Sequence, residues 1–335
     1  MSIRVGVIGT GAMGSYHYKC LKKVVGAEVT AVSDVFEEGA RTLIANDKNV
    51  SYFADGMELI RSESVDAVLI ASADPTHEDY CLEAIRLGKP VFCEKPLAQT
   101  AAGARKVVDA EMKAGKKLVQ LGFNRRFDPA YQEMKKALTS GSFGSPLVAH
   151  CAHRNPGVGE NYIDMTAITG TAVHEIDTMS WLMGDYFVKA QVILPRTTVN
   201  SHEKLHDPQI VLLTTSTGMM VIVEVFVNCG YGYDIQCEVV AENGTVRLPD
   251  PAKPFIRQKE MGAYEITSDG LGHFKDAYEA ELQAWADACI SGTHSNGADA
   301  WDGYSAAIVC DVCLKAQGSG AIEEIGLVER PEFYR

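Results

Sequence analysis

Along the first third of the chain, apolar residues come in short continuous blocks separated by turn residues and amphipathic stretches. Strands buried on both faces of a parallel sheet have this pattern. Residues 3–9 form the first block, and a helix is expected through 15–24. Residues 27–34 read as a second strand, 65–72 as a third, and Val91-Phe92-Cys93 as a fourth that ends abruptly in Glu94-Lys95-Pro96. Helices are expected at 78–87 and 101–114, followed by a fifth strand at 117–123. The alternation predicts an α/β domain over residues 1–123 with a doubly wound parallel sheet.

After a helix at 129–139 the period changes to two. Segments 147–153, 188–194, 210–215, 219–227 and 235–241 are rich in Val, Ile and Thr, and Ser216-Thr217-Gly218 and Glu242-Asn243-Gly244 mark hairpins between some of them. A large, open, mostly antiparallel sheet is therefore expected in a second α/β domain over residues 124–335, interrupted by a helix at 173–182. Helices at 272–290 and 303–315 are expected to return to the first domain. Two domains suit a chain of 335 residues, which exceeds what one core usually serves.

Composition narrows the picture only at its edges. No apolar run approaches the roughly 20 residues that span a bilayer, and the chain enters its first strand with no signal-peptide pattern before it. A net charge of -13 argues against sequence-independent nucleic-acid binding, which needs a basic footprint. Nine cysteines, several inside apolar segments, fit a reducing, cytoplasmic setting.

The candidate chemistry lies at strand ends. Gly9-Thr10-Gly11-Ala12-Met13-Gly14 is G-x-G-x-x-G between a strand and a helix, so Gly9, Gly11, Ala12, Met13 and Gly14 are expected to hold a dinucleotide pyrophosphate. Asp34 ends the next strand and is placed to accept from a ribose and to repel a 2′-phosphate, which predicts NAD rather than NADP. The alternative for Asp34 is an N-cap of the helix near Glu37. Ser72, Ala73 and His77 form a loop expected over the nicotinamide side, with a helix-cap neighbour as the plain reading of His77. Glu94 and Lys95 are expected beside the cofactor. Lys95, directly after a buried strand, would donate to a substrate hydroxyl and favour alkoxide as hydride leaves, unless it merely pairs with Glu94. His174, read as lying near a helix start, is expected as a neutral base, against a purely structural role. Zinc chemistry fails on spacing, because Thr178 stands where H-E-x-x-H needs its second histidine, and Cys310-x-x-Cys313 has no partner pair. Tyr231 and Tyr233 flank Gly232 and are read as sharing a face that could meet a polyol.

With these residues assembled, the chain resembles the glucose-fructose oxidoreductase, inositol dehydrogenase and MocA family over essentially its whole length, most nearly its inositol dehydrogenase branch. The resemblance rests on the glycine turn, Glu94-Lys95-Pro96, Phe123-Asn124-Arg125-Arg126-Phe127-Asp128, His174-Glu175-Ile176-Asp177 and the segment from Val223 through Tyr231 and Tyr233 to Ile235. It implies NAD, a homotetramer built through the second sheet, and oxidation of a secondary ring hydroxyl of an inositol, an inositol derivative or a related sugar. It also implies Lys95 and His174 as catalytic residues, and Arg126, His153, Asn155, Tyr231 and Tyr233 as lining the polyol pocket. One position departs: Gly170 stands where similar enzymes carry a carboxylate four residues before the histidine. That change predicts weak activity on plain myo-inositol and room for a substituted ring, unless Asp164 or Glu160 supplies the acid. A cofactor-recycling glycosidase or lyase of the same fold, and a non-catalytic NAD(H)-responsive regulator, remain the alternatives.

Overall fold

The computed structural model describes residues 2–250 and 253–335. The chain forms two compact units, one of Met1–Phe127, Asp276–Ala307 and Val328–Arg335, the other of Asp128–Lys275 and Ile308–Leu327. The residues after 275 are thus divided between the units.

The first unit is built on a seven-stranded sheet in the order Ala298–Asp299, Val119–Leu121, Val91–Cys93, Ala67–Ile70, Ile3–Ile8, Ala27–Ser33, Ser51–Phe53. Every pairing is parallel except that of the short edge strand Ala298–Asp299. The continuous apolar blocks are explained by burial from both sides: Val5, Val7, Val68, Leu69, Val91 and Phe92 are all inaccessible to solvent. Helix Lys275–Ser291 supplies Leu282, Trp285 and Ala286 to the cluster that holds Val5, Val7, Leu21 and Phe92, and Trp285 meets Phe92 edge-on with ring centres 5.8 Å apart. The chain end is tied down as well, because the Tyr334 hydroxyl donates to Glu111 Oε2 at 2.6 Å.

Register decides what this sheet presents. Ser33, Ile8, Ile70, Cys93 and Leu121 are successive cross-strand partners. Asp34, Gly9, Ala71, Glu94 and Gly122 therefore leave the sheet side by side at its carboxyl edge, where open parallel sheets bind ligands.

The second unit carries another seven-stranded sheet, ordered Gly244–Arg247, Asp234–Ala241, Pro146–Arg154, Met220–Phe226, Gln209–Thr215, Phe187–Ile193, Glu323–Glu324. It is antiparallel except between Pro146–Arg154 and Met220–Phe226. Alternate residues of Gln209–Thr215 are buried, as the period of two requires, and helix Val173–Met183 packs on the buried face, with Met179 touching Cys237. Helix Pro129–Thr139 starts where Asp128 Oδ1 accepts the main-chain N–H groups of Ala130 and Tyr131, so a proline at its first position costs nothing.

The expectation that His174 lies near a helix start is corrected. A helical stretch runs unbroken from Asp164 through a wide π-helical segment, Ala167–Ala172, into Val173–Met183. Thr166 to Ala172 carries a glycine and three threonines, so nothing in its propensity announces a helix. Also unforeseen were the strand Ser51–Phe53, the helix Gly56–Arg61 capped by Asp55, and an exposed hairpin of Ile256–Gln258 with Met261–Ala263. Among the described residues no helix is long and apolar enough to cross a membrane, no group of side chains could hold a metal ion, and no disulfide is present.

Candidate functional site

In the first unit the three glycines of the turn do three different things. Gly9 has φ +90, and a Cβ there would stand 2.5 Å from the Ala71 carbonyl oxygen, so the turn packs directly on the neighbouring strand exit. A Cβ on Gly14 would stand 1.9 Å from the Gly9 oxygen, so only glycine lets the helix approach its own strand. Around Gly11 a Cβ would meet nothing within 4 Å, which leaves the mouth open. Helix Ala12–Leu21 starts there with no side-chain cap, and its first bond inside the helix is Ser15 N–H to Gly11 C=O. The N–H groups of Ala12, Met13 and Gly14 are thus aimed at the opening, the arrangement a pyrophosphate needs.

Asp34 is prepared rather than merely present. Its Oδ2 accepts from the Thr10 N–H at 2.6 Å and the Thr10 hydroxyl at 2.8 Å, and Oδ1 accepts from the Phe36 N–H at 2.8 Å. Burial is the largest single influence and pushes its carboxyl up, but the bonds from Phe36 and Thr10 together hold it below the ordinary value. The N-cap alternative does not hold: the cap of helix Glu37–Leu43 is Phe36, with no side-chain bond. With Val35, Phe36 and Glu37 following, no cation stands next in sequence to receive a 2′-phosphate. The chain's residues therefore fit a dinucleotide with a free ribose 2′-hydroxyl.

Two expected cofactor contacts are revised. His77 is 1 % exposed, with Nδ1 2.7 Å from the Pro96 carbonyl oxygen and Nε2 3.1 Å from that of Ser72. The ring staples the Ser72 loop to the Lys95-Pro96 turn and offers a ligand no hydrogen bond of its own. Ser72 and Ala73 stay at the rim, where Ser72 Oγ bonds Thr76 Oγ1 at 2.6 Å and the Ala73 carbonyl accepts from Thr76. Glu94 likewise turns inward: Oε1 lies 2.6 Å from Nε2 of the buried His17, and Oε2 accepts the Lys95 main-chain N–H at 3.2 Å. Lys95 itself is half-buried two residues beyond the strand end. Arg126 is engaged within the protein. Its guanidinium is 8 % exposed inside the first unit, where Nη1 donates to Asp302 Oδ2 at 3.0 Å.

In the second unit, His174 stands on the helix after the π segment, its ring centre 6.0 Å from that of His153. His153 Nδ1 lies 3.1 Å from Oε1 of Glu175, and Nε2 lies 3.4 Å from the Tyr233 hydroxyl. His153 thus stands between Glu175 and Tyr233, with the His174 ring beside it. Asn155 follows two residues on, its main chain bonded to the Phe226 oxygen and the Cys229 N–H.

The two tyrosines do not share a face. Gly232 has φ +146, and a Cβ there would stand 2.7 Å from Ile266, so the alternation breaks between them. Tyr233 goes to the His153 side, whereas Tyr231 donates to Asp234 at 2.7 Å and accepts from Arg154 on the other side of the sheet. Burial, then the bond to Asp234, push the Tyr231 phenol up to about 12, so it stays protonated. Gly170 lies within the π segment, where a Cβ would touch only Thr166 Cγ2, at 3.0 Å. Asp164 Oδ1 accepts the His206 N–H at 2.6 Å and Gln209 Nε2 at 3.2 Å. Glu160 is exposed in the preceding loop.

Thr10, His17 and Glu175 went unassigned in the sequence. Only His17 carried a usable signal, as a polar residue on the buried face of the first helix.

Comparison with known proteins agrees with both halves. Residues 3–123 match the NAD-binding Rossmann fold, and 135–325 the C-terminal alpha/beta domain, of an oxidoreductase family, GFO/IDH/MocA. The chain is 48% identical to an inositol 2-dehydrogenase of Klebsiella pneumoniae subsp. pneumoniae over 100% of both chains. It is 50% identical to that of Azotobacter vinelandii, over 100% of this chain and 99% of that one. The crystal structure of myo-inositol dehydrogenase from Lactobacillus casei in complex with NAD(H) and myo-inositol superposes with a TM-score of 0.97 at 37% identity, covering 100% of both chains.

Proposed function

The chain belongs to the GFO/IDH/MocA oxidoreductase family, and from that membership we propose that it is an NAD-dependent dehydrogenase oxidising a secondary ring hydroxyl of an inositol to the ketone. The observation that carries the reading is Lys95, a half-buried cation in the same row of strand ends as the glycine turn and Asp34. The bound nicotinamide would supply the hydride acceptor. Everything else falls to the chain's residues. The Ala12–Gly14 amides hold the pyrophosphate, and Asp34 accepts from the ribose. Lys95 donates to the substrate oxygen and stabilises negative charge as it develops, while His174 takes the hydroxyl proton. His153 and Tyr233 bind ring hydroxyls. Steady formation of reduced nicotinamide with inositol isomers and O-substituted inositols tests this; failure with every cyclic polyol would refute it.

We further propose a homotetramer in the cytoplasm, assembled through the face of the second sheet that carries Ile210, Leu212, Ile222 and Phe226. These apolar residues are only partly buried in the single chain. Light scattering that reports a monomer at assay concentration would sink the assembly.

A further inference from the structure

The mechanism uses Lys95 and leaves Glu94, directly before it, without a task. Glu94 is 7 % exposed, and a buried carboxylate persists only where its oxygens are bonded. Both are: one to the His17 ring, the other to the Lys95 main chain. Gly122 makes the room, since a Cβ there would stand 3.2 Å from both Cδ and Oε1 of Glu94.

His17 is wholly inaccessible, three residues after Gly14 on the helix that opens at the pyrophosphate turn. Phe92, Tyr278 and Tyr16 wall its ring edge-on, with centres 5.4, 5.8 and 6.3 Å away. Among the described residues His17 Nδ1 has no hydrogen-bond partner, so a proton there would be an orphaned donor, and the proton belongs on Nε2, aimed at the carboxylate. One bridge of two hydrogen bonds thus joins the helix of the glycine turn to the backbone of the lysine.

We infer that His17 is a positioning residue for the reaction: by clamping Glu94 it fixes the main chain from which the Lys95 side chain springs. This rests on the role proposed for Lys95. A displacement of about an ångström at a reacting group costs on the order of a hundredfold in rate, so the clamp should be visible in turnover and nearly invisible in cofactor binding.

The test is a double-mutant cycle on the full chain, reading kcat, the NAD dissociation constant and the melting temperature. His17→Leu removes the donor, and His17→Gln keeps an N–H near the former Nε2. His17→Leu should lower kcat about 10–100-fold with NAD affinity within about threefold, and His17→Gln should recover most of the loss. Added to Lys95→Ala, His17→Leu should cost no more than about twofold further, because it acts through that lysine. If the losses multiply, or if His17→Gln melts like wild type yet is as slow as His17→Leu, the inference is overturned. Should His17→Leu fail to fold, Glu94→Gln takes its place in the same cycle, with the same two readings. Near-normal turnover of Lys95→Ala alone would instead remove the role of Lys95 and the inference with it.

Discussion

Asp34 shows how far one side chain carries a prediction. Its two oxygens are already oriented by Thr10 and Phe36, so a 2′-phosphate would meet a fixed negative charge with nothing to relax. NADP should be poorer than NAD by about tenfold or more in kcat/KM; equal efficiency with both would contradict the assignment. Lys95→Ala and His174→Ala should each lower kcat by about 10²–10⁴-fold, the usual worth of a general acid or base, with NAD affinity little changed. Stopped-flow single turnovers with saturating NAD check this, and near-normal rates would clear the residue concerned. Gly170 makes a substrate prediction. A carboxylate placed there would reach a ring hydroxyl through a charge-assisted bond, typically about 1.5–3 kcal/mol. Its Cβ displaces only the Thr166 methyl, so the variant should fold. Gly170→Asp should therefore improve myo-inositol and harm an O-methyl inositol in parallel assays. If neither ranking nor rate moves, the glycine is neutral.

At the scale of elements, what could be read from the chain was what repeats. The parallel strands and the glycine turn were legible because blocks of Val, Ile and Ala bounded by glycine have few other solutions. The π segment before His174 was not, because Thr169-Gly170-Thr171 has little helical propensity, and the bond of the Thr171 hydroxyl to that of Tyr162, outside the segment, has no pattern in the sequence. The buried ion pair of Arg126 was not legible either. Its partner Asp302 lies 176 residues away, in a helix the chain reaches only after six of the seven strands of the second sheet. That helix start gives a test of its own. Arg126 and Arg330 donate to Asp302 at 3.0 and 2.8 Å. Burial pushes the Asp302 carboxyl up, but the two guanidinium charges outweigh it and hold it below the ordinary carboxylate range. A folded-state value below the unfolded one stabilises at neutral pH, and the gain is lost as pH falls through the ordinary carboxylate range and below it. Asp302→Asn should cost about 3–5 kcal/mol in urea unfolding at pH 7, and the gap to wild type should close in acid. A gap independent of pH would show that the carboxylate charge is not what is lost.

Across the whole molecule, the function we propose assigns the dinucleotide to the first unit and the polyol-binding histidines and tyrosine to the second. The relatives that span the full chain, named for inositol oxidation, leave one chemical alternative worth separating: a family member that recycles its cofactor while cleaving a sugar. Both would bind NAD and both would need Lys95 and His174. They differ in where the hydride ends. The most direct measurement follows wild-type protein with NAD and an inositol deuterated at the carbinol carbon, recording reduced nicotinamide and the inositol ketone together. Net dehydrogenation predicts one deuterated, reduced nicotinamide accumulating for each ketone formed, with a slower rate than for the unlabelled ring. Turnover of a cyclic substrate with no accumulation of reduced nicotinamide would contradict it.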